Sequence, residues 1–156
     1  MKTGRLSRKV AIVTGASKGI GAGIALAMGR EGAAVAVNYS SSEPAARKVT
    51  GEILAAGGKA VAIQGDVSNA DDVARLFAET KKAFGTPNVL VNNAGIFRPG
   101  PFVETTEDTF HWHYNINVLG PVLTTLDDQI LRRQGRKHHQ HQLDREHVRA
   151  RHGIDL

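Results

Sequence analysis

Short apolar runs alternate with longer segments of helical periodicity over the first 125 residues. The short runs are rich in Val, Ile and Ala and carry no charge, which is typical of buried strands. Between them, apolar residues recur at steps of three and four, which indicates helices with one apolar face. The predicted strands cover residues 10–13, 34–38, 61–64 and 89–91. The predicted helices cover 19–30, 43–56 and 70–84, and a fourth begins near Thr106.

Turn and capping residues separate these elements. Ser42 precedes the second helix, with Pro44 in its first turn, and Ser68 precedes the third, so both serines are predicted N-caps. Strands that are apolar throughout and joined by helices form parallel sheets covered on both faces. The sequence therefore predicts an α/β fold with a Rossmann-type, doubly wound parallel sheet, truncated after about four strands.

The alternation stops near Leu126. Where a fifth strand is due, the chain has a polar, histidine-rich segment. Residues 132–152 hold seven lysines and arginines against two acidic residues, a surplus that equals the net charge of +5 for the whole chain. We therefore predict an ordered domain over residues 1–125 and an irregular, disordered basic tail over residues 126–156.

Composition excludes several classes of protein. The chain has no cysteine, which rules out disulfides and thiolate metal sites. Its basic N-terminus is followed by an apolar run too short for a secretory signal, and no stretch has the length of a membrane span. A cytoplasmic location, no membrane partner and no metal site are the resulting expectations.

A glycine-rich turn joins the first predicted strand to the first predicted helix. Glycines at such a turn let the backbone approach a pyrophosphate, which then lies at the helix N-terminus. The alternative is a tight turn without a ligand, but the strand–turn–helix context favours nucleotide binding. The predicted cofactor-binding residues in this turn are Gly15, Ser17, Lys18, Gly19, Ile20 and Gly21.

Three further motifs occur in order after this TGxxxGxG turn. They are Asp66-Val67 after the third strand, the Asn-Asn-Ala-Gly run at 92–95, and the Asn-Val-Leu-Gly run at 117–120. Together the four motifs resemble the short-chain dehydrogenase/reductase family over roughly residues 7–125. The likeness is to members of the 3-oxoacyl-carrier-protein reductase and glucose 1-dehydrogenase type.

The resemblance implies roles for these residues. Asp66 and Val67 would lie beside the adenine ring, and Asn93, Ala94 and Gly95 would line the ribose side of the cofactor. Asn117 resembles the asparagine that holds a water in the proton relay of the family, and it is the only predicted catalytic residue. Structural alternatives remain open: a strand-end turn for residues 92–95, and a polar residue that kinks a helix for Asn117.

The end of the second strand bears on the choice of cofactor. NAD enzymes of this fold place an acidic residue there to bind the ribose 2′-hydroxyl. This chain has Asn38, followed by Tyr39, Ser40 and Ser41. A carboxylate would repel a 2′-phosphate, whereas hydroxyl groups and the charge of Lys18 favour it. The predicted cofactor is therefore NADP(H) rather than NAD(H), with Asn38, Tyr39, Ser40 and Ser41 among its contacts.

The residues expected to do the chemistry are missing. The family resemblance implies a tyrosine with a lysine four residues later, and a serine. Here Tyr39 is followed at that spacing by Glu43 and Tyr114 by Val118, and no serine follows Ser68. The intact relative would transfer hydride between NADP(H) and a small carbonyl or alcohol substrate. This chain is predicted to have little or no activity, and the tetramer usual in the family is not expected.

The codons of the tail offer a hypothesis for this loss. Residues 137–142, Lys-His-His-Gln-His-Gln, are encoded as AAR CAY CAY CAR CAY CAR. Read one base later, these triplets can encode Ser-Ile-Ile-Asn-Ile-Ser, which resembles the fifth strand and serine motif of the family. A frameshift near residue 126 is the hypothesis, and sequencing the gene tests it. The alternative is a genuine tail in which His138, His139 and His141 bind a metal ion.

Two other functions stay open at this stage. One is a non-catalytic NADP(H)-binding module, which would bind the dinucleotide without turnover. The other is nucleic-acid binding through the basic tail, with a steep dependence on salt. It ranks last, because the tail has no interleaved aromatic residues and the charge of the preceding domain is balanced.

Overall fold

A computed structural model describes residues 4–129 of the chain. They form a four-stranded parallel sheet in the order β3-β2-β1-β4. The strands are β1 (Val10–Val13), β2 (Ala34–Tyr39), β3 (Lys59–Gln64) and β4 (Val89–Val91). The helices are α1 (Gly19–Arg30), α2 (Glu43–Ala55), α3 (Ala70–Phe84) and α4 (Glu107–Tyr114). The α/β fold class and the parallel sheet predicted from the sequence are confirmed.

Side chains of the central strands alternate between two apolar layers. Val13, Val35 and Val37 pack on one face of the sheet, against residues of α1 and α2. Ile12 and Ala36 pack on the other face, against residues of α3. Because both faces are covered, β1 is buried along its whole length, which explains why its sequence is continuously apolar.

Most element bounds agree with the prediction. β1, α1, α3 and β4 match it; β2 continues one residue further to Tyr39, and α2 ends one residue earlier at Ala55. β3 begins two residues earlier, at Lys59, because Lys59 and Ala60 pair with the start of β2. Pairing with a neighbouring strand thus extends β3 into residues that carry no strand pattern of their own.

The predicted N-cap of α3 is wrong. Asn69 is the cap, and its Oδ1 accepts hydrogen bonds from the backbone N–H groups of Asp71 and Asp72 at 2.9 and 3.1 Å. Ser68 donates instead to Oδ1 of Asp66, at 2.7 Å. Ser42 does occupy the cap position of α2, but its side chain makes no capping hydrogen bond.

The last helical segment continues past α4. Thr106 caps α4, the stretch Asn115–Leu119 is π-helical, and helix resumes over residues 120–129. Leu126 therefore lies within a helix in this structure. The remainder of the predicted tail, including residues 137–142 and His138, His139 and His141, lies outside the described residues. The boundary at 125/126 and the proposed roles of the tail stay predictions.

Within residues 4–129, no helix has the length and apolar character needed to cross a membrane. The same residues contain no group of three histidine or acidic side chains arranged to hold a metal ion.

Candidate nucleotide-binding site

A crevice of about 590 Å³ lies at the carboxyl ends of all four strands. The chain winds outward from β1 in one direction through β2 and β3, and β4 then lies on the other side of β1. In open α/β sheets this change of direction is the usual ligand position. The described residues that line the crevice are Gly15, Ser17, Lys18, Ile20, Gly21, Asn38, Ser40, Ser41, Ser42, Gly65, Asp66, Val67, Asn93, Ala94, Gly95, Ile96, Trp112 and Ile116.

The turn between β1 and α1 needs glycine at specific positions. Gly15 and Gly19 have φ values of +60° and +58°, in the left-handed region that favours glycine. A Cβ on Gly21 would lie 2.3 Å from Nδ2 of Asn93 and 2.7 Å from the carbonyl oxygen of Gly15. The turn can therefore pack this closely on the loop after β4 only without a side chain at position 21.

Thr14 and Asn93 fasten this turn to the loop after β4. Oγ1 of Thr14 donates to the carbonyl of Val91 at 3.3 Å and accepts from the backbone N–H groups of Asn93 and Ala94, both at 3.0 Å. Nδ2 of Asn93 donates back to the carbonyls of Thr14 and Gly15, at 2.9 and 3.1 Å. Thr14 belongs to the TGxxxGxG motif, but the motif alone indicates no role for its side chain. Its hydroxyl is fully used in holding the floor of the crevice.

The N-terminus of α1 differs from those of α3 and α4. No side chain caps it, and its first turn contains no acidic residue. Side-chain oxygens cap both α3 and α4, and each has two acidic residues in its first turn. The first N–H groups of a helix lack intrahelical partners and carry partial positive charge. The first turn of α1 thus presents uncapped donors to the crevice, beside Gly15 and Lys18.

Asn38 lines the crevice, but its side chain is hydrogen-bonded to backbone groups of the protein. The residue is only 1% exposed. Its Oδ1 accepts from the N–H of Gly15 at 3.1 Å, and its Nδ2 donates to the carbonyls of Gly65 and Ile63 at 3.0 and 3.4 Å. These hydrogen bonds tie the β1–α1 turn to β3, and contact of Asn38 with the cofactor stays a prediction.

Two other predicted contacts lie off the crevice surface. Tyr39 is 8% exposed and packs in the apolar layer under α1 and α2. Gly19 is at the start of α1, where its backbone shapes the turn without lining the crevice. Ser40, Ser41 and Lys18 are exposed and do line it, and their contact with the cofactor stays a prediction. Ser42, which ends the same serine run and is also the predicted N-cap of α2, lines the crevice as well.

The wall after β3 is built around Asp66. Its Oδ1 accepts from the N–H and hydroxyl of Ser68, at 2.9 and 2.7 Å. Its own N–H donates to Oδ2 of Asp72 at 2.9 Å, and Arg75 binds the other Asp72 oxygen at 2.6 Å. The N–H of Asp66, followed by the Arg75 guanidinium, holds the pKa of Asp72 below its ordinary value. Asp72 and Arg75 thus support the wall while lying outside the sequence motif.

Asn117 supports the opposite wall. Its Oδ1 accepts from the N–H of Ile96 at 2.8 Å, and its Nδ2 donates to the carbonyl of Ile96 at 2.9 Å. The amide pairs with both backbone groups of one residue, and it does so from the π-helical stretch Asn115–Leu119. In this structure, Asn117 is a positioning residue for Ile96, which lines the crevice.

Trp112 and Ile116 also line this wall, although neither was predicted as a site residue. Their spacing of four on a predicted helix was consistent with a shared face, but nothing in the pattern indicated that this face meets the crevice. The Trp112 ring packs against Arg98, whose guanidinium carbon lies 4.8 Å from the ring centroid.

Comparison with known proteins agrees with this architecture. A family model described as short chain dehydrogenase matches residues 9–135. An uncharacterized oxidoreductase of Methylorubrum extorquens is 49% identical over 121 residues, which cover 78% of this chain and 49% of the relative. Versicolorin reductase 1 of Aspergillus parasiticus is 46% identical over 116 residues, which cover 74% of this chain and 44% of the relative. The chain spans about half the length of these relatives.

Solved structures show the same likeness. A short chain dehydrogenase from Mycobacterium avium superposes with a TM-score of 0.81 at 38% identity, covering 86% of this chain and 49% of that one. One from Burkholderia cenocepacia, solved in complex with NADP, gives 0.78 at 39% identity, covering 80% and 51%. The resemblance found in the sequence motifs is confirmed: this chain belongs to the short-chain dehydrogenase family.

Proposed function

We propose that this chain is the cofactor-binding part of an oxidoreductase and that it binds NADP(H) in preference to NAD(H). The observation that carries the proposal is the uncapped N-terminus of α1, which faces the crevice beside Lys18 and a row of serines. The family binds nicotinamide dinucleotides, and the Burkholderia cenocepacia relative holds NADP.

The residues of the crevice fit a dinucleotide. The close approach of Gly21 to Asn93 and of Gly15 to Ala94 leaves a surface of backbone that a Cβ would fill. A pyrophosphate suits that surface, because the uncapped N–H groups of α1 donate to anions. Asp66 and Val67 would then border the adenine, and residues 93–95 would line the ribose side of the cofactor.

The preference for NADP(H) depends on charge at the β2 end of the crevice. Among the described residues that line the crevice, Asp66 is the only acidic one, and it follows β3. At the end of β2 the exposed groups are the hydroxyls of Ser40 and Ser41, with Lys18 nearby. A 2′-phosphate would therefore meet a lysine and hydroxyl groups, and no carboxylate would repel it.

When bound, the nicotinamide ring supplies the hydride chemistry, and the protein binds and orients it. The full protein would interconvert an alcohol and a ketone on this cofactor. Proton delivery to the developing alkoxide needs a positioned acid. The sequence has no tyrosine followed by lysine at four residues and no serine after Ser68. We therefore expect the 156-residue chain alone to bind NADPH with little or no turnover.

Binding can be measured directly, because the chain has one tryptophan and Trp112 lines the crevice. We expect NADPH to quench Trp112 emission with a Kd about tenfold or more below that of NADH, as one charge-assisted contact to the 2′-phosphate provides. Lys18→Ala should remove most of that preference. Lys48→Ala, an exposed lysine on α2, is the matched control and should change neither Kd. Equal affinities for NADPH and NADH in the parent chain would contradict the NADP(H) preference.

A non-catalytic NADP(H)-binding module is the second candidate, and the missing tyrosine–lysine pair favours it. The two candidates differ in turnover. NADPH oxidation at 340 nm with a ketone substrate would establish the enzyme, whereas tight NADPH binding with no oxidation across a panel of ketones and aldehydes would support the module.

A further inference from the structure

We propose that a second cavity, at the amino ends of the strands, binds a small anion with several phosphoryl groups. The cavity has a volume of about 810 Å³, which lies within the range of small-molecule pockets. Lys9, Ala34 and Lys59 line it, and each lies at the start of a strand or just before it. β2 and β3 are each six residues long, so the cavity lies roughly 17 Å from the crevice at their carboxyl ends. The site is therefore separate from the proposed NADP(H) site and does not depend on it.

Within residues 4–129, the charged side chains that line this cavity are all basic. They are those of Arg8, Lys9, Arg30 and Lys59. All four are exposed, and none of them forms an ion pair with another described residue. Like charges around one cavity repel one another, and a bound polyanion would relieve that repulsion.

The negative charge near the cavity is too small to neutralise these four groups. α1, α2 and α3 end at its rim, and a helix C-terminus carries about half a negative charge. Three such ends supply less than half of the charge needed. Glu31 follows Arg30 but is bound to Arg5, whose N–H group holds the pKa of Glu31 below its ordinary value. Glu52 lines a neighbouring cavity with Arg30 without an ion pair between them. The cavity therefore keeps a net positive charge.

Arg8 reaches this cavity from a backbone conformation that favours glycine. Its φ is +68°, and among residues 4–129 it is the only residue other than glycine with a positive φ. A residue with a Cβ is less stable in this region than glycine is. The N–H groups of Ser7 and Lys9 each donate to the carbonyl three residues earlier, at 3.0 and 2.9 Å, and so fix the turn around Arg8. The arginine thus lines the cavity at some cost in stability, as strained residues at ligand sites do.

The lining favours a compact polyanion over a nucleic acid. Single-stranded nucleic acids bind along basic grooves in which aromatic side chains stack on successive bases. Phe84 is the only aromatic residue among the described residues that line this cavity. Arginine binds phosphoryl oxygens through paired N–H groups, and lysine binds them as a point charge. Two arginines and two lysines around one cavity therefore suit a di- or triphosphate group.

Calorimetric titration with inorganic tripolyphosphate, with and without excess NADP⁺, tests the site. We expect tripolyphosphate to bind about tenfold or more tightly than inorganic phosphate, with an affinity that falls as ionic strength rises and that NADP⁺ leaves unchanged. Arg8→Gln combined with Lys59→Gln should weaken tripolyphosphate binding about tenfold or more. The matched control, Arg47→Gln combined with Lys48→Gln, removes two positive charges from α2 outside the cavity and should leave the affinity unchanged.

Arg8→Gly provides a second test, because it removes the guanidinium and relieves the backbone strain. We expect a higher melting temperature together with weaker tripolyphosphate binding. Full affinity in Arg8→Gly or in the Arg8/Lys59 pair, or an equal loss in the control pair, would overturn the proposal.

Two further outcomes would contradict it. Loss of tripolyphosphate binding in excess NADP⁺ would place that binding in the crevice. Tighter binding of an oligothymidylate, weakened by the same substitutions, would indicate a nucleic-acid surface instead. If NADP⁺ does not bind at all, the titrations without it still test the cavity, so the two proposals fail independently.

Discussion

Two glycines of α1, two residues apart, have opposite requirements. A Cβ on Gly21 would lie 2.3 Å from Nδ2 of Asn93, the atom that holds the carbonyls of Thr14 and Gly15. A Cβ on Gly23 would meet nothing within 4 Å, and Gly23 is exposed. Position 21 therefore needs glycine for packing. At position 23 glycine serves no packing role, and it lowers stability because it loses more conformational entropy on folding than alanine would.

This contrast gives a prediction with a built-in control. Gly21→Ala should lower the free energy of unfolding by about 2–3 kcal/mol, as overpacking and lost hydrogen bonds do, and weaken NADPH binding at least tenfold. Gly23→Ala should raise stability by about 0.5–1 kcal/mol and leave the NADPH Kd unchanged. Urea unfolding and NADPH titration measure both. Similar effects from the two substitutions would mean that the Gly21 contact is not what holds the turn.

Asn38 shows what a sequence motif can and cannot reveal about one residue. It lies at the carboxyl end of β2 and lines the crevice. The position says nothing about where the amide groups point, and all three of its hydrogen bonds go to backbone groups of the β1–α1 turn and β3. Those partners are 23 to 27 residues away along the chain, so only the folded sheet reveals them.

At the scale of elements, the start of α3 allows the predicted cap, Ser68, to be compared with the observed cap, Asn69. Asn69→Ala removes the acceptor for two N–H groups and should lower the free energy of unfolding by about 1 kcal/mol. Ser68→Ala leaves the cap intact and should cost less, because it removes only the hydroxyl contact to Asp66. Thermal melts of the two variants show which substitution costs more stability. A larger loss for Ser68→Ala would support Ser68 as the cap, as predicted from the sequence.

Elements were predicted best where their own residues determine them. β1 and α1 match to the residue, because an apolar run and a helical period are local signals. The π-helical stretch Asn115–Leu119 was not predicted, since one extra residue per turn hardly alters a short apolar pattern. It coincides with Asn117, which binds both backbone groups of Ile96. Local periodicity thus located the helix, whereas its irregular turn coincides with a contact to a residue 21 positions away in the sequence.

At the scale of the whole molecule, the crevice is joined across the sheet by polar contacts. Thr14, Asn38 and Asn93 link the ends of all four strands through hydrogen bonds that need no ligand. Because these contacts order the site before a ligand binds, less conformational entropy is lost on binding. Its walls after β1, β2 and β3 come from consecutive motifs, which is why the sequence identified them. The wall at Trp112 depends on how α4 packs, and sequence alone could not place it.

The outer surface at the β4 side carries an apolar stripe. Phe110, Tyr114, Val118, Val122 and Leu126 recur at steps of four and are all exposed, whereas Leu123 packs inward against the sheet. Within residues 4–129, β4 is also an outer strand of the sheet, paired only with β1. An exposed strand edge beside a large apolar patch promotes association.

We therefore expect this chain to self-associate through the β4 side of the molecule. Val122→Lys places a charge in the middle of the stripe and should lower light scattering at a given protein concentration. Leu54→Lys is the matched control, since Leu54 on α2 is exposed to a similar extent, 53% against 49%, and both changes add one positive charge. If association used the stripe, only Val122→Lys would reduce scattering, with an unchanged circular-dichroism spectrum. An equal reduction by Leu54→Lys would attribute the effect to net charge and locate the association elsewhere.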